Sequence, residues 1–136
     1  MKQSIIVAVV LSSLVTAIPS AFAGSSFQLP SKKIHCQAAG DRPIMRCDVF
    51  ENNAKLPPRP KSCEFDWGTA FSLQSTGRPQ RLCVSDTVAT LAAPILRYGR
   101  TWKYEGLTCI SRVSGLTCTN LKKHGFFLSR QRQRLF

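Results

Sequence analysis

Two cysteines in this chain are each followed three residues later by an aspartate: Cys63-Glu64-Phe65-Asp66 and Cys83-Val84-Ser85-Asp86. If Cys63 bonds to Cys83, Asp66 and Asp86 come close together, and a facing pair of carboxylates is the equipment of glycoside hydrolysis. One histidine, His124, is the other candidate acid or base, but a general base needs an orienting acid, and none is adjacent in sequence. Each aspartate also has a simpler use. Asp66 closes a turn before Trp67-Gly68, and Asp86 caps the Thr87–Thr90 segment. The chain has no Gly-x-Ser-x-Gly, no His-Glu-x-x-His and no phosphate-cradling glycine loop. The balance is therefore against an enzyme, and no catalytic residue is assigned. An envelope hydrolase using Asp66, Asp86 or His124 is the alternative.

Charge is the stronger signal. Nineteen Lys and Arg oppose seven Asp and Glu, for a net +12 at neutral pH. A field of that sign favours anionic partners without specifying a fold, and the expected role is a non-enzymatic binding module for an anionic cell-envelope component or a protein partner. The candidate contacts are Lys32, Lys33, Lys122, Lys123, Arg130, Arg132 and Arg134. Nucleic acid is a poor partner, because no basic run exceeds two residues and the N-terminus reads as an export signal. That signal comprises Met1-Lys2-Gln3, an apolar stretch from Ile5 to Val15, and the small-x-small site Ala21-Phe22-Ala23. The apolar run is short of the roughly 20 residues a bilayer span needs. Residues 1–23 are thus expected to be a signal peptide and 24–136 a single domain, periplasmic or secreted, with no transmembrane segment in the mature chain.

The elements that must carry these side chains follow from the cysteines. All six lie in the mature part: Cys36, Cys47, Cys63, Cys83, Cys109 and Cys118. An even number in an oxidising compartment reads as disulfides. The expected pairing is sequential: Cys36–Cys47, Cys63–Cys83 and Cys109–Cys118. Zinc is disfavoured, because there is no Cys-x-x-Cys and the two histidines are far apart in sequence. No metal or cofactor is expected.

Short apolar pieces bounded by Gly, Pro, Asn and Asp recur, which is an all-β pattern. "KIHCQAA" and "IMRCDVF" flank Gly40-Asp41-Arg42-Pro43 as one bridged hairpin. "GLTCIS" and "GLTCTN" flank Arg112-Val113-Ser114-Gly115 as a second. "RYGRTWKYEG" reads as a half-buried strand after a Tyr98-Gly99 turn. "GFFLS" reads as a covered strand which, if extended to the end, lines Arg130, Arg132 and Arg134 on one face. The expected fold is a small disulfide-stapled antiparallel sheet or barrel-like domain, with one short helix near residues 86 to 92 capped by Ser85 or Asp86. Pro57, Pro58 and Pro60 exclude a central strand and predict an extended loop. If that loop is rigid, Pro57 to Lys61 would suit an inhibitor of a secreted enzyme, a further alternative.

The ordered set Cys36, Arg46-Cys47-Asp48, Cys63 with Asp66-Trp67-Gly68, Cys83 with Asp86-Thr87, Tyr98-Gly99, Cys109, "GLTCTN" and "HGFFLSR" resembles a small secreted six-cysteine bacterial domain family of unknown function, found in exported proteins of actinobacteria and proteobacteria. The resemblance covers about Phe27 to Phe136. It implies an exported domain and assigns no activity, substrate or residue role. Two departures stand out. Similar sequences have a Ser-Gly-Asn turn before the first cysteine, where this chain has Ser31-Lys32-Lys33. They also have a glycine before the His-Gly pair, where this chain has Lys123. A conformation suited to glycine is thus expected at lysines.

Overall fold

Apolar residues alternate along most of the cystine-bearing segments, and alternation fixes which side of a strand faces the core. In a computed structural model, which describes Leu14, residues 25–39 and residues 44–136, these segments form two five-stranded antiparallel sheets. The first has the order β1 (Ser26–Gln28), β2 (Ile34–Ala39), β3 (Ile44–Val49), β4 (Asp66–Gln74) and β5 (Gln80–Val84). The second runs from β6 (Thr101–Tyr104) through β7 (Leu107–Arg112), β8 (Gly115–Thr119) and β9 (Gly125–Leu128) to β10 (Gln133–Leu135). Every neighbour in a sheet is also a neighbour in sequence. The signal-peptide expectation lies outside the described residues except for Leu14, and so does the turn expected at Gly40–Pro43.

The inward faces meet in one core. Met45, Cys47, Phe71 and Leu73 from the first sheet join Trp102, Leu107, Leu116 and Phe126 from the second. Phe27 lies 5.1 Å from Trp102, and Phe71 lies 6.1 Å from Phe126, ring centroid to centroid. The three disulfides are those expected: Cys36–Cys47, Cys63–Cys83 and Cys109–Cys118. The first and third join residues directly opposite each other in the hairpins β2–β3 and β7–β8. Closing loops of this length stabilises by about 3 kcal/mol each on the chain-entropy account.

Two expectations are corrected. Among the described residues there is no helix, and residues 86–92 are an irregular strap that ends in a turn at residues 91–92. Asp86 caps nothing. Its carboxylate and its carbonyl both accept from Arg46. Asp48, buried on the outer face of β3, accepts from the Thr87 hydroxyl (2.7 Å) and the Val88 amide (3.0 Å). These bonds tie Thr87 and Val88 to the sheet and spend the Val88 amide outside any helix. Pro94 and Leu96 then bond to Gln28 along the free side of β1, with Gln28 and Ile95 in a parallel bridge. That edge is therefore covered, which removes a site for stray strand pairing.

The C-terminal segment is also not one continuous strand. β9 stops at Leu128, a turn at Ser129–Arg132 reverses the chain, and β10 returns along β9. The Ser129 amide donates to the Arg132 carbonyl, and the Arg132 amide donates to Ser129 Oγ. Arg130 sits in the turn, so the three arginines do not share a strand face.

Candidate functional site

Strand direction sorts the loops into two ends. One end gathers the β1–β2 turn, the β3–β4 loop, the strap, and the β7–β8 and β9–β10 turns. The other gathers the β4–β5, β6–β7 and β8–β9 turns. The seven predicted basic residues divide accordingly. Lys32, Lys33 and Arg130 belong to the first end, while Lys122 and Lys123 belong to the second. Arg132 and Arg134 lie along the C-terminal edge, their guanidinium carbons about 5 Å from the rings of Phe127 and Phe136 (5.1 and 5.0 Å).

The first end is built on strained backbone. Lys32 has φ 60° and Glu51 has φ 50°, a left-handed region that β-carbons disfavour. The Lys32 amide donates to the Leu29 carbonyl (2.8 Å), and the Lys32 carbonyl accepts from the buried ring of His35 through Nε2 (3.0 Å). Lys33 Nζ donates to Glu51 Oε1. Arg130 reaches the same carboxylate at Oε2 (3.1 Å) and donates through Nε to the Glu51 carbonyl (3.2 Å). The hydrogen bond from Lys33 holds the Glu51 carboxyl below its ordinary range. Two cations thus share one anion, and the cluster stays positive.

Beside this cluster lies a depression of about 180 Å³. Its floor is the buried pair Leu29 and Ile34; its walls carry Arg112, Arg130, Tyr98, Ser31, Ser114 and Ser129, the last with its hydroxyl donating to the Arg132 carbonyl (3.1 Å). No carboxylate lines it. Arg112 is exposed at the end of β7 and has no ion pair among the described residues. Guanidinium groups with hydroxyl donors around them suit phosphate, sulfate or carboxylate. Arg112, Tyr98 and Ser114 were not singled out as contacts in the sequence. The signal was there in the β7–β8 hairpin, whose symmetry about Val113-Ser114 places Arg112 at the tip.

The expected carboxylate pair is also found in one place. Asp66 pairs in register with Val84 and shares with Asp86 and Asp48 a cleft of about 430 Å³. Its centre is Arg46, bonded to both Asp48 (2.8 Å through Nε) and Asp86 (2.8 Å through Nη1). Burial alone would lower the Arg46 pKa, but hydrogen bonds to Asp86 and Asp48 outweigh it and hold the guanidinium above its usual range. The same bond keeps the Asp86 carboxyl below its ordinary range. A glycosidase acid needs the opposite shift. His124 is at the far end, where its amide donates to Asn120 Oδ1 (3.1 Å). Asn120 in turn donates to the carbonyls of Gln74 and Gly77, latching two turns together. In the cleft, Asp48 and Asp86 are both committed to Arg46. Among the described residues no group of His, Cys, Asp and Glu side chains is placed to hold a metal.

The loop from Lys55 to Ser62 is exposed throughout. It is held by the Trp67 indole donating to the Pro57 carbonyl (3.1 Å), by Arg59 donating to the Cys63 carbonyl (3.0 Å), and by the Cys63–Cys83 bridge.

A family model matches residues 9–136, nearly the full chain. The chain belongs to a family of unknown function, DUF6636. No curated protein and no solved structure matches it. Membership in DUF6636 agrees with the six-cysteine resemblance and brings no site residue with it.

Proposed function

We propose that this protein is exported and acts outside the cytoplasm as a non-enzymatic binding module for an anionic component of the cell envelope. The observation that carries the reading is the depression at the first end. Arg112, Arg130, Ser31, Ser114 and Tyr98 line it and no carboxylate does, with Arg112 unpaired among the described residues and Arg130 shared with Glu51. Lys32, exposed on the β1–β2 turn, extends the positive surface outward. The net charge draws anions toward the molecule, and this end supplies the donors that receive them.

The test is affinity for a short polyphosphate and for oligogalacturonate, which offer phosphate and carboxylate in soluble form. The exposed pair Lys32→Glu/Arg112→Glu is expected to lose at least about tenfold, since two charges are reversed at the contact. The pair Lys122→Glu/Lys123→Glu at the far end should lose about threefold or less, through the general field alone. Binding should weaken steeply with salt. Equal losses for the two pairs, salt-insensitive binding, or no binding would contradict the reading.

One observation favours a second reading, inhibition of a secreted enzyme. The proline loop is exposed, basic at Lys55, Arg59 and Lys61, and fixed at both ends. Preorganisation of that kind lowers the ordering cost of filling a cleft.

A further inference from the structure

The first end carries more than cations. Leu91 is 93% exposed, Val113 83%, Ile95 46% and Tyr98 45%. Single exposed apolar side chains are ordinary on a protein surface. Four of them at one end of a small domain, between cations, are not scattered. Tyr98 joins them. It lines the depression that holds Arg112 and Val113, and also a second hollow formed with Pro30, Ile95 and Arg97. Past Pro30, the β1–β2 turn leads to Lys32 and Lys33, which share a third hollow with Leu91. The sequence of surfaces is therefore continuous from the hairpin tip at Val113 to the strap at Leu91.

We propose that this end is a membrane-docking face, and that the anionic component it binds is the headgroup layer of an anionic lipid leaflet. The inference rests on the anion-binding reading and adds the source of the anion. Two features separate a leaflet from the other occupants. A soluble polyanion would use Arg112, Arg130 and Lys32 but would leave Leu91 and Val113 in water. A protein partner would bury apolar tips in one desolvated core patch with charges kept to its rim, whereas here the apolar tips are interleaved with Lys32, Arg97 and Arg112. A leaflet accepts both groups at once: phosphates meet the cations, and apolar tips pass between headgroups toward the acyl boundary. Tyrosine belongs at that depth, with its ring toward the apolar side and its hydroxyl in the headgroups. Glu51, the one carboxylate in the third hollow, is already held by Lys33 and Arg130 and offers the leaflet little repulsion.

The experiment is co-sedimentation of the mature protein with phosphatidylcholine vesicles, with and without phosphatidylglycerol, alongside titration with soluble polyphosphate. Wild type is expected to bind only the vesicles that contain phosphatidylglycerol. The variant Leu91→Ser/Ile95→Ser alters two side chains outside the arginine depression and leaves the charge unchanged. It should lose about tenfold or more on those vesicles and bind polyphosphate as wild type does. Wild-type vesicle binding by that variant would overturn the docking face while leaving the anion reading intact, as would polyphosphate binding without vesicle binding. Failure to bind either ligand would overturn both. A blue shift of tryptophan emission in the Tyr98→Trp protein on adding phosphatidylglycerol vesicles would support insertion, and no shift despite binding would contradict it.

Discussion

Lys32 and Lys123 both hold left-handed backbone, at φ 60° and 61°. These are the two positions where the sequence resemblance implies a glycine, so a conformation suited to glycine was expected there before any coordinates. A residue with a β-carbon pays of order 1 kcal/mol there, and glycine does not. Lys32→Gly is therefore expected to stabilise the fold, by up to about 1 kcal/mol after the entropic cost of glycine in the unfolded chain. It should also weaken polyphosphate binding. A urea melt paired with a binding titration checks both. A less stable variant would mean that the Lys32 side chain supports the turn.

Glu51 makes a second prediction at this scale. Its folded pKa lies below the ordinary value, chiefly through the hydrogen bond from Lys33. The contact is therefore complete above the ordinary glutamate range and is lost as pH falls through the lowered folded value. Protonation releases Lys33 and Arg130 for an external anion. Glu51→Gln should reproduce that release at neutral pH and raise affinity for a non-titrating sulfated ligand about threefold, in line with an exposed ion pair. Affinity of the wild type should rise only as pH falls through that lowered value, beneath the ordinary glutamate range, and that of Glu51→Gln should not. A titration series across pH distinguishes them.

Among the elements, the strap from Ser85 to Ala93 is the one whose nature the sequence concealed. Ser85 and Asp86 ahead of Thr87–Thr90 make a helix start by local rules. The competing partner is Asp48, some forty residues earlier, which accepts four hydrogen bonds counting both from Arg46. A long-range bond to a buried carboxylate outweighs a weak local helix preference, and no periodicity reports it. Asp48→Ala should cost about 3 kcal/mol or more, because it leaves Arg46 half-paired and frees the strap. The urea midpoint measures this, and a loss under about 1 kcal/mol would show that the strap is held by other contacts. The hairpins, by contrast, were readable. Paired cysteines symmetric about a turn fix register as well as connectivity, and β2–β3 and β7–β8 fold as that symmetry requires. The C-terminal arginines were misread because "SRQR" alternates like a strand, while the bond from Arg132 to the Ser129 hydroxyl makes it a turn. Gly125 is a different case. A β-carbon there would collide with the Cys118 carbonyl across the β8–β9 pair, a close approach that neighbouring residues do not advertise.

At the scale of the whole molecule, two meandering sheets share one core, and every strand pairs only with its sequence neighbours. That local topology makes the three sequential disulfides natural, since each closes a short loop that folding would bring together anyway. It also gathers alternate turns at each end, so residues far apart in sequence, Lys32, Arg112 and Arg130, come to one surface. The sequence carried the charges and the cystine pattern. It did not carry which turns are neighbours, and so it grouped Lys122 and Lys123 with residues that belong to the opposite end.

The most direct measurement is a residue-by-residue amide map of the oxidised protein by NMR, as short polyphosphate is added at low salt. The account predicts the largest shifts at residues 29–33, 97–100, 112–115 and 129–131, fading as salt is raised. Shifts centred on Lys122 and Lys123 or on the Arg46 cleft, or small shifts spread evenly over the surface, would contradict it.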